Sequence, residues 1–380
     1  MTKFIVSIFA VIAILSTSCK KVDSSTQPII TYYIPTTYNF TNFNDSNSLK
    51  ILAMADQVVA YINTANAIPN TSISSTQLTS MLNNTGGFFK DTALQLNNSN
   101  LSLAGYLSGP ALTDMLNYFD SVGLYSQSTS AASPGVAGVS PSSANAAKKY
   151  LLSPNGVFYS QVVKKALQGM TAFRIANIYM TDSIASTTDT TILEHYWDAA
   201  FGLFGVPTTF PSVTTGLRYF GSYSNQVNAG LNSNSTIMNA FLKGRAAIAN
   251  NDLATMKGEA DLLIRVFDTL DAAAIVQEMH ETNTNIEAGD AVAAYGTLSE
   301  SLGFVRNLSY NTSPLRVITS AQYQQLLALY DSINPNSPNL YNFVGAAQGL
   351  TTQQIENKTN AIAQFIAQIY GFTSTQLPLL

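Results

Sequence analysis

One short stretch concentrates the side chains that could do chemistry. Thr191–Pro207 reads TILEHYWDAAFGLFGVP and holds the only tryptophan, Trp197, and one of the two histidines, His195. His195 and Asp198 stand three residues apart. On a helix that spacing puts an imidazole and a carboxylate on one face, where both can meet one cation. The competing reading is a core histidine held by Asp198, or a solvent-facing pair. Thr191 and Glu194 make a T-x-x-E capping box, so Glu194 is expected to bond back to the amide of Thr191. A zinc hydrolase needs three protein ligands and a general base. The two histidines of this chain do not form an HExxH pair, so any metal site must draw carboxylates from elsewhere.

The second histidine lies in Glu278-Met279-His280-Glu281, ahead of Thr282-Asn283-Thr284-Asn285. The reading favoured there is a polar C-terminal turn, with protonated His280 stabilised by the helix dipole. A weak internal echo links two parts of the chain. A shift of 101 residues aligns Trp197 with Leu298, Phe201 with Leu302 and Gly202 with Gly303. Ser299-Glu300 then stands where Asp198-Ala199 does, and Glu300 is a carboxylate that could face His195 across a bundle. The aromatic groups Tyr32, Tyr33, Tyr38 and Phe40, and Tyr219, Phe220 and Tyr223, suit a core or a stacking surface. No glycine-rich phosphate loop, nucleophile elbow or Ser–His–Asp set is present.

These residues need helices to position them. Leu49, Leu52, Val59 and Ile62 recur at helical spacing over Ser46–Ala67. The same pattern predicts helices over Thr76–Leu82, Leu112–Tyr125, Val157–Tyr179, Thr191–Gly205, Thr236–Ala249 and Leu253–His280. Further helices are predicted over Glu287–Leu308, Ala321–Ile333 and Thr352–Tyr370. Asn83–Leu103, Gln127–Ser143 and Pro207–Ser224 read as irregular, the second as a long surface loop and not a domain linker. Alternating strand patterns are almost absent. The expected fold class is all-α, built of antiparallel helical bundles.

The N-terminus predicts the compartment. Lys3 precedes the apolar run Phe4–Leu15, and Ser16, Thr17 and Ser18 lead to Cys19, the chain's only cysteine. Residues 1–18 read as a secretory signal too short for a stable span. An unpaired cysteine in an exported chain needs a reason, and lipidation of Cys19 supplies one. Residues 19–37 are then a lipid-attached tether and 38–380 a single helical domain. Lys20 follows the cysteine, so the aspartate linked to inner-membrane retention is absent, which points to the outer membrane. The membrane is thus an expected partner through the anchor alone. Charged residues make up 11% with a net charge of −4. There is no basic patch, so nucleic acid is not an expected partner.

LEHYWDAAFGLFG resembles the most recognisable block of a family of uncharacterised bacterial lipoproteins related to imelysin. YNFTNFN, Asn155-Gly156-Val157-Phe158-Tyr159-Ser160-Gln161 running to Lys165 and Gly169, and LSESLGFVRNL fit the same family in the same order. The resemblance implies an imelysin-like fold of two related bundles in one compact unit. It also implies an envelope binding role in uptake of iron, haem or a related nutrient, with iron or another divalent metal as the cofactor. His195 and Asp198 match the His and acid of the imelysin G-x-H-x-x-E motif, with Leu193 in place of Gly. Ala199 and Phe158 stand where the nearer relatives carry acidic residues, and each removes a carboxylate. The expectation is therefore a binding protein with His195, Asp198 and Glu300 as ligand contacts. A metal-dependent peptidase, or a structural surface module without a small-molecule ligand, is the alternative.

Overall fold

Local chemistry places many of the helix starts. Ser74, Ser108, Asp189, Asp252, Asp290, Thr319 and Thr351 each accept a hydrogen bond from a first-turn amide of the helix that follows, supplying a partner the helix itself cannot. Left-handed glycines end α5 at Gly205 and α13 at Gly371, where a Cβ would be strained. The computed structural model describes residues 31–90, 93–330, 338–345 and 349–380. The signal segment, Cys19 and the tether up to residue 30 lie outside the described residues.

The compact unit runs from Ile34 to Leu380 and is all-α apart from one two-stranded antiparallel sheet. In chain order it comprises α1 (Ser46–Asn63), α2 (Ser75–Leu82), α3 (Gly109–Tyr125), β1 (Gly138–Pro141), β2 (Lys149–Leu152), α4 (Tyr159–Phe173) and α5 (Thr190–Phe204). There follow α6 (Tyr219–Gln226), α7 (Asn228–Leu231), α8 (Ser233–Ala249), α9 (Leu253–Glu287), α10 (Ala291–Tyr310), α11 (Ser320–Leu329), α12 (Leu340–Val344) and α13 (Thr352–Tyr370). The long α9 is the shared spine. On it pack α8, α10 and α13, while α5 bridges α1 and α8, and α4 packs on α10 and α3. No described helix is long and apolar enough to cross a membrane.

The internal echo has a structural counterpart. A Cβ on Gly202 of α5 would meet the Cβ atoms of Asp45 and Ser48, at 2.6 and 2.7 Å, at the start of α1. A Cβ on Gly303 of α10 would meet Lys165 Cβ of α4 at 2.5 Å. In both places a glycine lets two helix backbones approach closely. The residues before the two glycines also behave alike. Asp198 Oδ2 accepts from the Asn44 amide at 3.4 Å, just ahead of α1, and Ser299 Oγ accepts from the Phe158 amide at 2.8 Å, just ahead of α4.

Four local expectations are corrected. The helix over Val157–Tyr179 is α4 followed by a π-helical run, Arg174–Ser183. The irregular stretch Gln127–Ser143 contains β1, which pairs with β2 from Gly138–Leu152 to Pro141–Lys149. Pro207–Ser224 ends in the first residues of α6. Finally, α9 does not stop at His280 but runs a further two turns to Glu287, before Gly289 and the Asp290 cap restart the chain as α10. His280 therefore sits inside a helix, away from a C-terminal dipole.

Candidate functional site: a polar cavity over a buried carboxylate–lysine cluster

The stretch Thr191–Pro207 folds for the most part as α5, and its two carboxylates, Glu194 and Asp198, both pair with Arg245. Asp198 is 2% exposed and Arg245 of α8 is 1% exposed. Arg245 Nε donates to Asp198 Oδ1 at 3.0 Å, and Arg245 Nη1 lies 2.7 Å from Glu194 Oε1. Tyr38 donates its hydroxyl to Asp198 Oδ1 at 2.9 Å and stacks on Phe201 with ring centroids 3.7 Å apart. Phe40 covers the guanidinium at 5.1 Å, a cation–π contact in a desolvated place. Burial raises the Asp198 carboxyl, and Arg245, Tyr38 and Asn44 oppose that rise. The cap of α5 is Asp189, which accepts from Thr191 and Ile192. Glu194 is thus an ion-pair partner and not the capping-box residue.

This arrangement corrects the expected ligand pair. His195 is exposed, at a hollow lined also by Asn44, Tyr106 and Tyr179, while Asp198 faces inward to Arg245. Asp198 is hydrogen-bonded to Arg245, Tyr38 and Asn44 and not to His195. Glu300 does not face His195 either. It pairs with Lys165 of α4, 2.6 Å away. Among the described residues no group of three His, Cys, Asp or Glu side chains is arranged to hold a metal ion.

The second cluster is the stronger candidate. Lys165 is 1% exposed, and its ammonium also donates to the Tyr223 hydroxyl of α6. Tyr223 in turn donates to Glu278 Oε1 at 3.2 Å. The rings of Tyr223 and Phe304 flank the ammonium at 4.7 and 5.1 Å. Glu278 is 2% exposed, and its Oε2 has no hydrogen-bond donor among the described residues. Burial, then the neighbouring charge of Glu300, holds the Glu278 carboxyl well above the ordinary range, with Lys165 opposing. Burial also raises the Tyr223 hydroxyl, with the charges of Glu278 and Glu300 adding to it.

Glu300 joins this cluster to a cavity of about 390 Å³. Lys148, Tyr150, Gln161, Glu281 and Asn285 line it with Glu300. Gln161 Oε1 is buried and has no hydrogen-bond partner. Asp290 closes one side by holding the sheet turn. It accepts from Ser142 Oγ and from the amides of Ser143, Ala144 and Ala293. Those donors outweigh burial and hold its carboxyl below the ordinary value. Glu300 was foreseen as a site residue, facing the wrong partner. Lys165, Glu278 and Tyr223 were not foreseen, although a lone charge on an apolar helix face was the available signal. Lys165 follows Val162 by three, and Glu278 follows Ala274 by four and Ile275 by three.

The chain matches no curated protein and no solved structure. A family model does match, over residues 35–373. That range takes in every residue of the two clusters and of the cavity, and the chain belongs to the family described as "Domain of unknown function (DUF4856)".

Proposed function

We propose that this chain is a lipid-anchored envelope protein, outer-membrane in location, that binds a small cationic nutrient in the cavity above Glu300. The observation that carries the reading is the cavity's surplus of acceptors. Glu300, Glu281 and Gln161 line a space large enough for a small solute. Lys165 pairs with Glu300 from behind and holds its side chain in position. A ligand bearing ammonium groups, or a chelated metal cation, supplies what these oxygens lack. Haem suits the walls less well, because its macrocycle needs apolar surface. Iron in a small hydrophilic complex is the form of the expected nutrient that fits.

Kinship with imelysin is part of the same proposal. The blocks that resemble it lie along the matched domain. The repeated glycine crossing of α5 on α1 and α10 on α4 is what two related halves would leave behind. A peptidase reading finds less support. It requires three ligands around an activated water, and His195, Asp198 and Glu300 do not come together.

Calorimetric titration of the mature chain with iron(II) chloride under nitrogen and with spermidine tests the binding reading. One of the two is expected to bind at one site per chain. Glu300→Gln should weaken that binding tenfold or more, about 1.4 kcal/mol. His195→Ala should leave it unchanged. Binding that survives Glu300→Gln and is lost in His195→Ala would move the site back to α5. Anchoring is tested separately: the wild-type chain is expected in the detergent phase after labelling with palmitate, and Cys19→Ser in the aqueous phase.

A further inference from the structure

On the same side of α9 as Glu278 and two turns nearer the helix start stands Asp271, with Asp268 one turn further back; they are 5% and 3% exposed. Asp268 is well supplied with donors. Its Oδ1 accepts from Asn311 Nδ2 at 2.9 Å, and its Oδ2 accepts from the Val317 amide at 3.0 Å and the Tyr370 hydroxyl at 3.1 Å. Asp271 differs. Among the described residues its one hydrogen-bond donor is Asn307 Nδ2 at 3.3 Å, and the neighbouring charge acting on it is the like-charged Asp268. A buried carboxylate in that position is paired, protonated or bound to a cation.

A second observation bears on the choice. Asn307 is 4% exposed, and its Oδ1 has no hydrogen-bond partner among the described residues. Its amide orientation is set by its other side, since Nδ2 donates both to Asp271 and to the Lys165 carbonyl at 3.0 Å. Oδ1 therefore points over Gly169, whose Cβ, if it had one, would lie 2.0 Å from that oxygen. Asp268, Asp271, Asn307, Asn311 and Gly169 together line a hole of about 10 Å³, the room that one water-sized particle occupies. A buried acceptor without a donor, beside a carboxylate without a counter-charge, around a one-atom hole, describes a hard-cation site.

We infer that Asp271, Asp268 and Asn307 Oδ1 bind one small hard cation, calcium or sodium, between α4, α9 and α10. The cation supplies the charge that Asp271 lacks and ties the three helices where Gly169 lets them approach. Oxygen donors of this kind suit these ions and not soft transition metals.

The test is thermal unfolding of chelator-treated protein at constant ionic strength, in calcium chloride, sodium chloride and choline chloride. Calcium or sodium should raise Tm saturably by roughly 2–4 °C or more relative to choline, and Asp271→Asn should abolish the rise. A rise with calcium alone identifies a divalent site, and a rise with sodium alone a monovalent one. Terbium luminescence of the unmutated chain, sensitised through Tyr370 and displaced by calcium, is the companion measurement if the variant does not fold. The inference is overturned if neither salt moves Tm and terbium does not bind. It is equally overturned if the rise persists in Asp271→Asn. The first of those outcomes would leave Asp271 as a neutral acid whose hydroxyl donates a hydrogen bond to Asn307 Oδ1.

Discussion

Arg245 decides what the chemistry-rich stretch of α5 can do. It draws Asp198 and Glu194 inward, and leaves His195 alone at the surface. Sequence reasoning saw His195 and Asp198 at a ligand's spacing, because helical periodicity says which residues share a face and not what lies opposite. The opposing residue did leave a signal. Arg245 continues the Ile237–Phe241 row of α8 at four-residue steps, and that row is fully buried. A charge on such a row must meet a partner. Removing one member strands the others. Arg245→Met is expected to cost about 3–5 kcal/mol, because Asp198 then remains buried without its guanidinium, and urea unfolding will register it. His195→Ala, at an exposed position, should stay within about 0.5 kcal/mol of the parent. A loss as large as that of Arg245→Met would mean that His195 is part of the buried network after all.

At the scale of elements, the helices follow from apolar periodicity and their caps, and most bounds agree within a few residues. What could not be read is the packing between them. A pattern of apolar residues marks a buried face but carries no distance, so Glu300 was set against His195 when α10 in fact lies on α4. The π-helical run was hidden for a related reason, since a one-residue change in hydrogen-bond register leaves composition unaltered. The sheet was missed because strands of four residues are too short to show alternation. The repeated glycines are the exception, for they gave both a family-like block and a contact. Gly202→Ala and Gly303→Ala should each destabilise by about 1–3 kcal/mol through forced separation of α5 from α1 and α10 from α4. Chevron or equilibrium unfolding of the two variants compares the crossings directly. A large cost at one and none at the other would show that the two halves do not use the crossing alike.

Across the whole molecule, charge is scarce and a good part of it is inside. Lys165, Arg245, Asp198, Glu278 and Asp290 are all at most 2% exposed in a chain whose charged residues make up 11%. Stability is therefore tied to pH through groups far from any surface. Glu278 sets one sign. Its folded value lies well above the ordinary 4.5, so the folded chain keeps a proton that the unfolded chain has released. Stability from this group is greatest in acid and declines as pH rises from about 4.5 towards the raised value, by up to about 1.4 kcal/mol per pH unit. Asp290 sets the opposite sign. Its folded value is depressed, so its contribution is present above about 4 and is lost as pH falls through the lower value. Lys165, Tyr223, Glu300, Glu281 and Tyr330 surround Glu278 from α4, α6, α10, α9 and the end of α11, and of these the Lys165 charge and the Tyr223 hydroxyl that donates to it favour its ionised form. Urea midpoints between pH 5 and 8 are thus expected to fall with rising pH. Glu278→Gln, which keeps the shape and cannot ionise, should lessen that slope, leaving the part due to Asp198, Asp268 and Asp271, whose carboxyls burial also raises, and the acid limb governed by Asp290. An unchanged slope in the variant would assign the pH dependence to another group and remove the proton from the cluster beneath the cavity.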